Sequence, residues 1–270
     1  MPTEERSPQQ MRPCPLCGGM DRNLVLRWDE WELVKCKSCE MIFLGRELPY
    51  AEQAKKHDWF DEYTKEVTRR KRKYPLLRFI SRSFRFLRPD TNSRMLSQTL
   101  RWRREGKLVD FGCGDGTFLA LASKHFDVTG IELGPREAEL ARHAVPPERI
   151  LEGPLTEIAE TALRENSFDV VTQLGYLEHE WHPQAALRAA HRVLKPDGVT
   201  VIKTPNYACW NRAVLGTRWC GYHFPAHCNL FTPMTLAKML RQTGFEPLPR
   251  PMVDRLPTSD SLWMAARKPA

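Results

Sequence analysis

The amino-acid sequence predicts an α/β protein: a doubly wound, mostly parallel sheet, preceded by a small cysteine ribbon and a basic helical segment. Three observations carry this. From residue 107 onward, short apolar runs alternate with helical segments, as in a parallel sheet covered on both faces. One of those runs ends in Asp110 and meets a loop with glycine at 112, 114 and 116. Near the start, Cys14, Cys17, Cys36 and Cys39 are spaced C-x2-C-x18-C-x2-C.

Residues 1–11 are polar and predict a disordered tail. They hold no apolar h-region, which predicts a chain without a secretory signal and a cytoplasmic location. No apolar stretch reaches the ~18 residues that span a bilayer. Residues 12–46 form the ribbon. Each C-x2-C pair suits a tight knuckle that points two thiolates at one ion. Two knuckles complete a closed tetrahedral site, that of a structural zinc. Pro15, Gly18 and Gly19 sit at the first knuckle, and residues 28–34 could supply short strands between the two. A disulfide pair is the competing reading, and the spacing together with the missing signal segment weighs against it. Few residues remain for a self-supporting core, so the metal is expected to contribute much of the folding energy.

Residues 47–104 read as a helical, basic lid or linker. The net charge of +8 is concentrated here: residues 65–104 carry 14 Lys or Arg against two acids, Glu66 and Asp90. The rest of the chain is net acidic, which argues against a general polyanion binder and leaves no strong nucleic-acid signal. Over 76–88, Leu76, Leu77, Ile80, Phe84 and Leu87 share one helical face, and Arg78, Arg82, Arg85 and Arg88 the other. This segment is a lid with solvated arginines, or, over 69–88, the contact for an anionic partner or membrane surface.

Residues 105–270 form the α/β domain. Strands are expected at 108–111, 128–131, 149–152, 168–174, 199–204 and 262–267, and helices starting near Thr117, Pro135, Leu155, Gln184 and Pro233. In such a sheet the ligand sits at the carboxyl ends of the strands, where Asp110, Glu132 and Gly175 fall. Glycines at Gly112, Gly114 and Gly116 let a backbone approach a ligand closely. Glu132, at the tip of the second strand, can accept hydrogen bonds from both hydroxyls of a ribose. Together these predict a nucleoside cofactor. The dinucleotide pattern G-x-G-x-x-G does not fit, because its third position falls on Thr117.

An Asp at a strand end followed by G-x-G-x-G resembles the first motif of class I S-adenosylmethionine-dependent methyltransferases. The segment after residue 167 agrees: Ser-Phe-Asp-Val-Val opens a strand, Leu177-Glu178-His179 forms a loop, and Leu-Lys-Pro-Asp-Gly closes a helix. Thr204-Pro205-Asn206, the stretch from Pro225 through His227 to Phe231-Thr232, and Gly244-Phe245 are similar to one subgroup of that family. Its members methylate small molecules, among them quinone precursors, sugars and natural-product intermediates, and some carry an N-terminal four-cysteine zinc ribbon. The resemblance implies a seven-stranded Rossmann-like sheet and S-adenosylmethionine bound by Asp110, Gly112, Gly114, Gly116, Glu132, Leu133, Leu174 and Gly175. It covers roughly residues 12–46 and 105–268. The chain departs from the pattern at Gly153-Pro154, where such enzymes often place an acid near the adenine amino group. Backbone groups, Thr156 or Glu157 stand there instead.

Methyl transfer to oxygen is helped by a general base, and His is the usual choice near neutral pH. His179 follows the loop that should face the methyl group, and His227 lies in a segment that should cover the substrate. Each could equally orient its loop by bonding backbone. Tyr176, Tyr207, Trp210 and Trp219 are candidate substrate-facing aromatics, with core packing as the ordinary alternative. The expected activity is transfer of a methyl group to oxygen or carbon of a small-molecule acceptor, a sugar, quinol or secondary metabolite. Two other readings stand beside it: an RNA methyltransferase gripping RNA with ribbon and basic helix, and a cofactor-binding scaffold without catalysis. The oligomeric state is not legible.

Overall fold

The computed structural model describes residues 11–47 and 90–270. Of the tail expected over residues 1–11, only Met11 is described, and it pairs with Arg46 in an isolated antiparallel bridge. The basic amphipathic helix expected over 76–88, with the run at 69–73, lies outside the described residues.

The chain begins with three antiparallel strands, β1 (Arg22–Trp28), β2 (Trp31–Cys36) and β3 (Ile42–Leu44). A hairpin turns at Asp29, whose φ of 53° is the left-handed conformation that tight turns use. The strands expected within 28–34 are therefore split by this turn. Helix α1 (Thr91–Leu100) follows, capped by Asp90, whose Oδ1 accepts from the N–H groups of Asn92 and Ser93. The α/β domain then runs β4 (Gly106–Phe111), α2 (Thr117–Ala122), β5 (Phe126–Glu132), α3 (Pro135–Ala144), β6 (Ile150–Glu152), α4 (Leu155–Thr161) and β7 (Phe168–Leu174). It continues with α5 (Pro183–Val193), β8 (Leu194–Pro205), α6 (Trp210–Leu215), β9 (Asn229–Leu230), α7 (Pro233–Gln242), β10 (Glu246–Pro247), α8 (Met252–Arg255) and β11 (Ser261–Arg267).

Seven of these strands form one sheet in the order β10-β11-β8-β7-β4-β5-β6, all running the same way except β11, which is antiparallel to both of its neighbours. This is the Rossmann-like architecture the sequence predicts. Central β4 has its last four residues buried, as expected where helices cover both faces. The strand order reverses between β4 and β7, which opens a crevice at their carboxyl ends. The register, with Asp110 opposite Gly130 on one side and Thr172 on the other, brings the ends of β4, β5 and β7 to one edge.

Most expected strands lie within two residues of their observed bounds; one begins five residues early. The strand expected at 199–204 starts at Leu194, straight from α5, so the predicted helix stop and turn are taken up inside it. Pairing with β7 jumps from Phe168↔Leu194 to Val170↔Val199, and Asp197 has a φ of 61°. The turn chemistry is present, spent on a bulge rather than on a separate loop.

The ribbon is not self-contained. Short strand β9, from the α/β domain, pairs with β3 (Ile42↔Leu230, Phe43↔Asn229) and becomes the fourth strand of the ribbon sheet. Ribbon residues Trp31, Leu33, Ile42 and Leu44 share a buried cluster with Trp181, Trp219 and Leu230. Leu16, Met41 and Phe43 share another with Leu177, Phe231 and Met239. The core that the ribbon is too short to build comes from its neighbour.

Candidate functional site

The glycine loop turns between β4 and α2, and its three glycines have three different surroundings. A Cβ on Gly116 would stand 2.9 Å from the Ala141 backbone of α3, and one on Gly112 would stand 2.7 Å from the Tyr176 ring. Only Gly114 faces open space, with nothing within 4 Å of its missing Cβ. Gly112 and Gly116 thus also pack the loop, against the turn that follows β7 and against α3. Cys113 is a buried filler whose thiol burial pushes its pKa up.

Glu132 braces this loop from the tip of β5. Its Oε2 accepts from Gly114 N–H at 2.8 Å and its Oε1 from Gly134 N–H at 2.9 Å. Burial raises its pKa, against these two backbone donors, which lower it. Asp110 lies behind the loop, 1% exposed, its Oδ1 accepting from Thr172 Oγ1 at 2.7 Å. Burial pushes its carboxyl up to about 8. Leu133, Leu174 and Gly175 are all half-buried at the same sheet edge, and Gly175 N–H is held by Lys203 carbonyl at 2.9 Å. At the Gly153-Pro154 departure, Gly153 N–H donates to Glu132 carbonyl at 2.9 Å, so this segment is tied to the tip of β5 through backbone.

The structure brings together His179 and His227, which lie 48 residues apart in sequence, with ring centroids 4.8 Å apart. His179 Nδ1 donates to Ala226 carbonyl at 3.0 Å and His227 Nδ1 to Gly221 carbonyl at 2.8 Å. A carbonyl only accepts, so each Nδ1 carries a proton. Burial first, and the neighbouring His179 next, lower the His227 pKa to about 3, so its ring is neutral. Glu178 is 2% exposed and joins the two histidines: one ligand atom from each of the three lies within 4.8 Å of the others. Tyr176 lies over Gly112 and donates to Glu180. Of the other aromatics, Trp219 is buried, its Nε1 donating to Asp260 at 2.8 Å, while Trp210 is 63% exposed.

Two residues that hold this region were not foreseen. Arg12 is buried, and its guanidinium donates to the carbonyls of Cys228 and Trp181 and to Asn229 Oδ1. Asn229 in turn donates to the carbonyls of Leu177 and Glu180 at 3.1 and 2.6 Å. Ribbon, histidine loop and β9 are thereby tied in one network. Arg12 stands beside a cysteine pair with no pattern of its own, so no local signal marks it. Asn229 lies inside the His227-to-Phe231 motif and could have been read from it.

The four ribbon cysteines are free thiols that converge as the spacing predicts. Their sulfurs lie within 4.8 Å of one another, with Cys14 to Cys39 at 3.4 Å and Cys17 to Cys36 at 3.5 Å. Sulfurs around a tetrahedral zinc stand roughly 3.8 Å apart at bond lengths near 2.3 Å, so the donor set fits that ion.

A family model described as methyltransferase domain matches residues 69–249. The ubiquinone biosynthesis O-methyltransferase of Cereibacter sphaeroides is 30% identical over 152 residues, 53% of this chain and 62% of that protein. The protein of the same name from Pseudomonas aeruginosa is 32% identical over 149 residues, 52% of this chain and 64% of that one. The chain thus spans a little under two thirds of these relatives' length. A SAM-dependent methyltransferase structure from Archaeoglobus fulgidus superimposes with a TM-score of 0.54 at 16% identity, over 66% of this chain and 92% of that one, which shows the shared fold.

Proposed function

The chain belongs to the methyltransferase-domain family, and on that premise we propose that it moves a methyl group from S-adenosylmethionine to an oxygen of a small-molecule acceptor of the quinol class. One observation carries the cofactor half. Glu132 holds the glycine loop through one carboxylate oxygen and the turn after β5 through the other, while Gly114, the open glycine of that loop, stands beside it. Each oxygen keeps a second lone pair, which suits the two hydroxyls of a ribose. Bound there, the cofactor supplies an electrophilic sulfonium methyl.

The chain's own residues would do the rest. Gly114 and Leu133 admit and flank the nucleoside, and Leu174 and Gly175 border it from β7. His179 is the proton acceptor for the acceptor hydroxyl. His227, neutral and bound to Gly221, fixes the covering segment. The relatives' names support an oxygen acceptor of the quinol class over the carbon and sugar alternatives. The RNA reading draws on the ribbon together with residues 69–88, the latter outside the described residues.

Calorimetry with S-adenosylhomocysteine tests this. In Glu132→Gln the amide NH2 would face a backbone N–H, donor against donor, so one loop brace is lost. Affinity should fall at least about tenfold, roughly 1.4 kcal/mol. Equal affinity in the variant rejects the cofactor assignment. Product formation on a panel of catechols and quinols, with none on RNA, tests the acceptor half.

A further inference from the structure

We propose that Asp260 is a positioning residue for the His179–His227 pair, acting on it through Trp219 and Gly221. Its carboxylate gathers the segment that leads into the histidine motif. Oδ1 accepts from Trp219 Nε1 at 2.8 Å and from the Cys209 thiol at 3.4 Å, and Oδ2 accepts from Asn211 Nδ2 at 3.1 Å. The Asp260 carbonyl accepts from Asn206 N–H at 2.8 Å, which ties this clasp to the end of β8. Trp219 is fully buried, so its indole N–H depends on Asp260 and the ring is fixed by that bond. Gly221 lies against the ring: a Cβ there would stand 2.1 Å from Trp219 Cη2. Only glycine fits, and the ring sets where the Gly221 carbonyl points. That carbonyl holds His227 Nδ1 at 2.8 Å, and the carbonyl of Ala226, the residue before His227, holds His179 Nδ1 at 3.0 Å. The two imidazoles meet edge to face.

A carboxylate suits this task. It offers two oxygens to three donors, and bonds to a charged acceptor are stronger than neutral ones. Asp260 itself stands apart from the imidazoles, with the Trp219 ring and Gly221 between. Releasing the indole N–H lets the ring tilt, and the Gly221 carbonyl and both histidines shift with it. A displacement of about 1 Å can cost a reaction on the order of a hundredfold. The effect on turnover rests on the proposed methyl transfer with His179 as base; the effect on the histidine geometry does not.

The test uses the full chain with nitrogen-15 in its histidines. The Nδ1–H signal of His227, assigned by its loss in His227→Gln, should be protected from solvent exchange in wild type. In Asp260→Ala its exchange should quicken at least about tenfold, and in Trp219→Phe, which lacks the indole N–H, by a similar factor. Asp260→Asn keeps an oxygen for Trp219 and should recover most of the protection. Turnover of a quinol should fall at least about tenfold in Asp260→Ala. Affinity for S-adenosylhomocysteine should stay unchanged, because Gly114 and Glu132 lie outside the relay. In the Trp219→Phe background, Asp260→Ala should add little, since its route to the histidines is already cut. Wild-type exchange in both single variants, or losses that add in full in the double variant, overturns the proposal. A wild type that turns over no quinol rejects the methyl-transfer reading instead, and the exchange measurement still decides the positioning. If Asp260→Ala fails to fold, Trp219→Phe carries the same test.

Discussion

Gly18 and Glu40 occupy the same place in the two cysteine knuckles. Gly18 N–H donates to Cys14 carbonyl at 2.8 Å, and Glu40 N–H to Cys36 carbonyl at 3.0 Å. Both have left-handed φ, 73° and 64°. A side chain there costs roughly 1 kcal/mol that glycine avoids. Glu40→Gly should therefore be more stable than Glu40→Ala by about 1 kcal/mol, the reverse of the order in regular structure. Both variants lose the exposed contact to Lys35 equally, so the comparison isolates the backbone. Equal denaturant midpoints for the two would reject the strain. Asp110 offers a pH test. Its folded pKa of about 8 is raised from an unfolded value near 3.9, so the folded state is penalised as pH rises between those values. Each pH unit costs up to about 1.4 kcal/mol, and the penalty is absent below the unfolded value. Asp110→Asn keeps the acceptor for Thr172 and should gain stability over wild type from pH 5 to 8, with no gain at pH 4. A gap that does not grow with pH rejects a buried, proton-holding Asp110. The first knuckle's glycines were visible in sequence. Glu40 was not, because a charged residue gives no sign that its backbone must turn left.

The elements that carry the cofactor loop were legible for a physical reason. Runs such as 108–111 and 168–174 are mostly buried and so read as segments rich in apolar and β-branched residues, bounded by turn residues. Strand β9 was not, since two residues, Asn229 and Leu230, are too few to show a period. Yet β9 and Arg12 decide how the ribbon meets the histidine loop. Arg12 stacks on Phe43 and Trp181, at 5.7 and 4.9 Å from the ring centroids, while donating to three acceptors. Arg12→Met keeps the bulk and removes the donors, leaving Asn229 Oδ1 and two carbonyls without a charged partner. The expected loss is about 2–3 kcal/mol of stability, with methyl transfer reduced more than S-adenosylhomocysteine affinity. If thermal denaturation shows no change, the link between ribbon and site is not energetic.

At the scale of the whole molecule, the ribbon and the α/β domain share one sheet edge and two buried clusters, so they should not melt independently. A metal held by the four cysteines would stabilise the knuckles. The knuckles set β2 and β3, and β3 pairs with β9 next to His227. Stripping the metal should therefore loosen the acceptor side of the site before the cofactor side, whose loop hangs on β4 and β5 at the far side of β7. Hydrogen exchange on chain treated with a zinc chelator measures this directly. Amides of Asn229, Leu230 and Leu44 should lose protection, the last because Leu44 N–H donates to Cys228 carbonyl at 2.9 Å. Amides of 108–111 should stay protected, and S-adenosylhomocysteine should still bind. Heating the metal-loaded chain should give one cooperative transition. Two separate transitions, or unchanged exchange at 229 and 230, would mean that the ribbon is an appended module, and the coupling of metal to site would be lost with it.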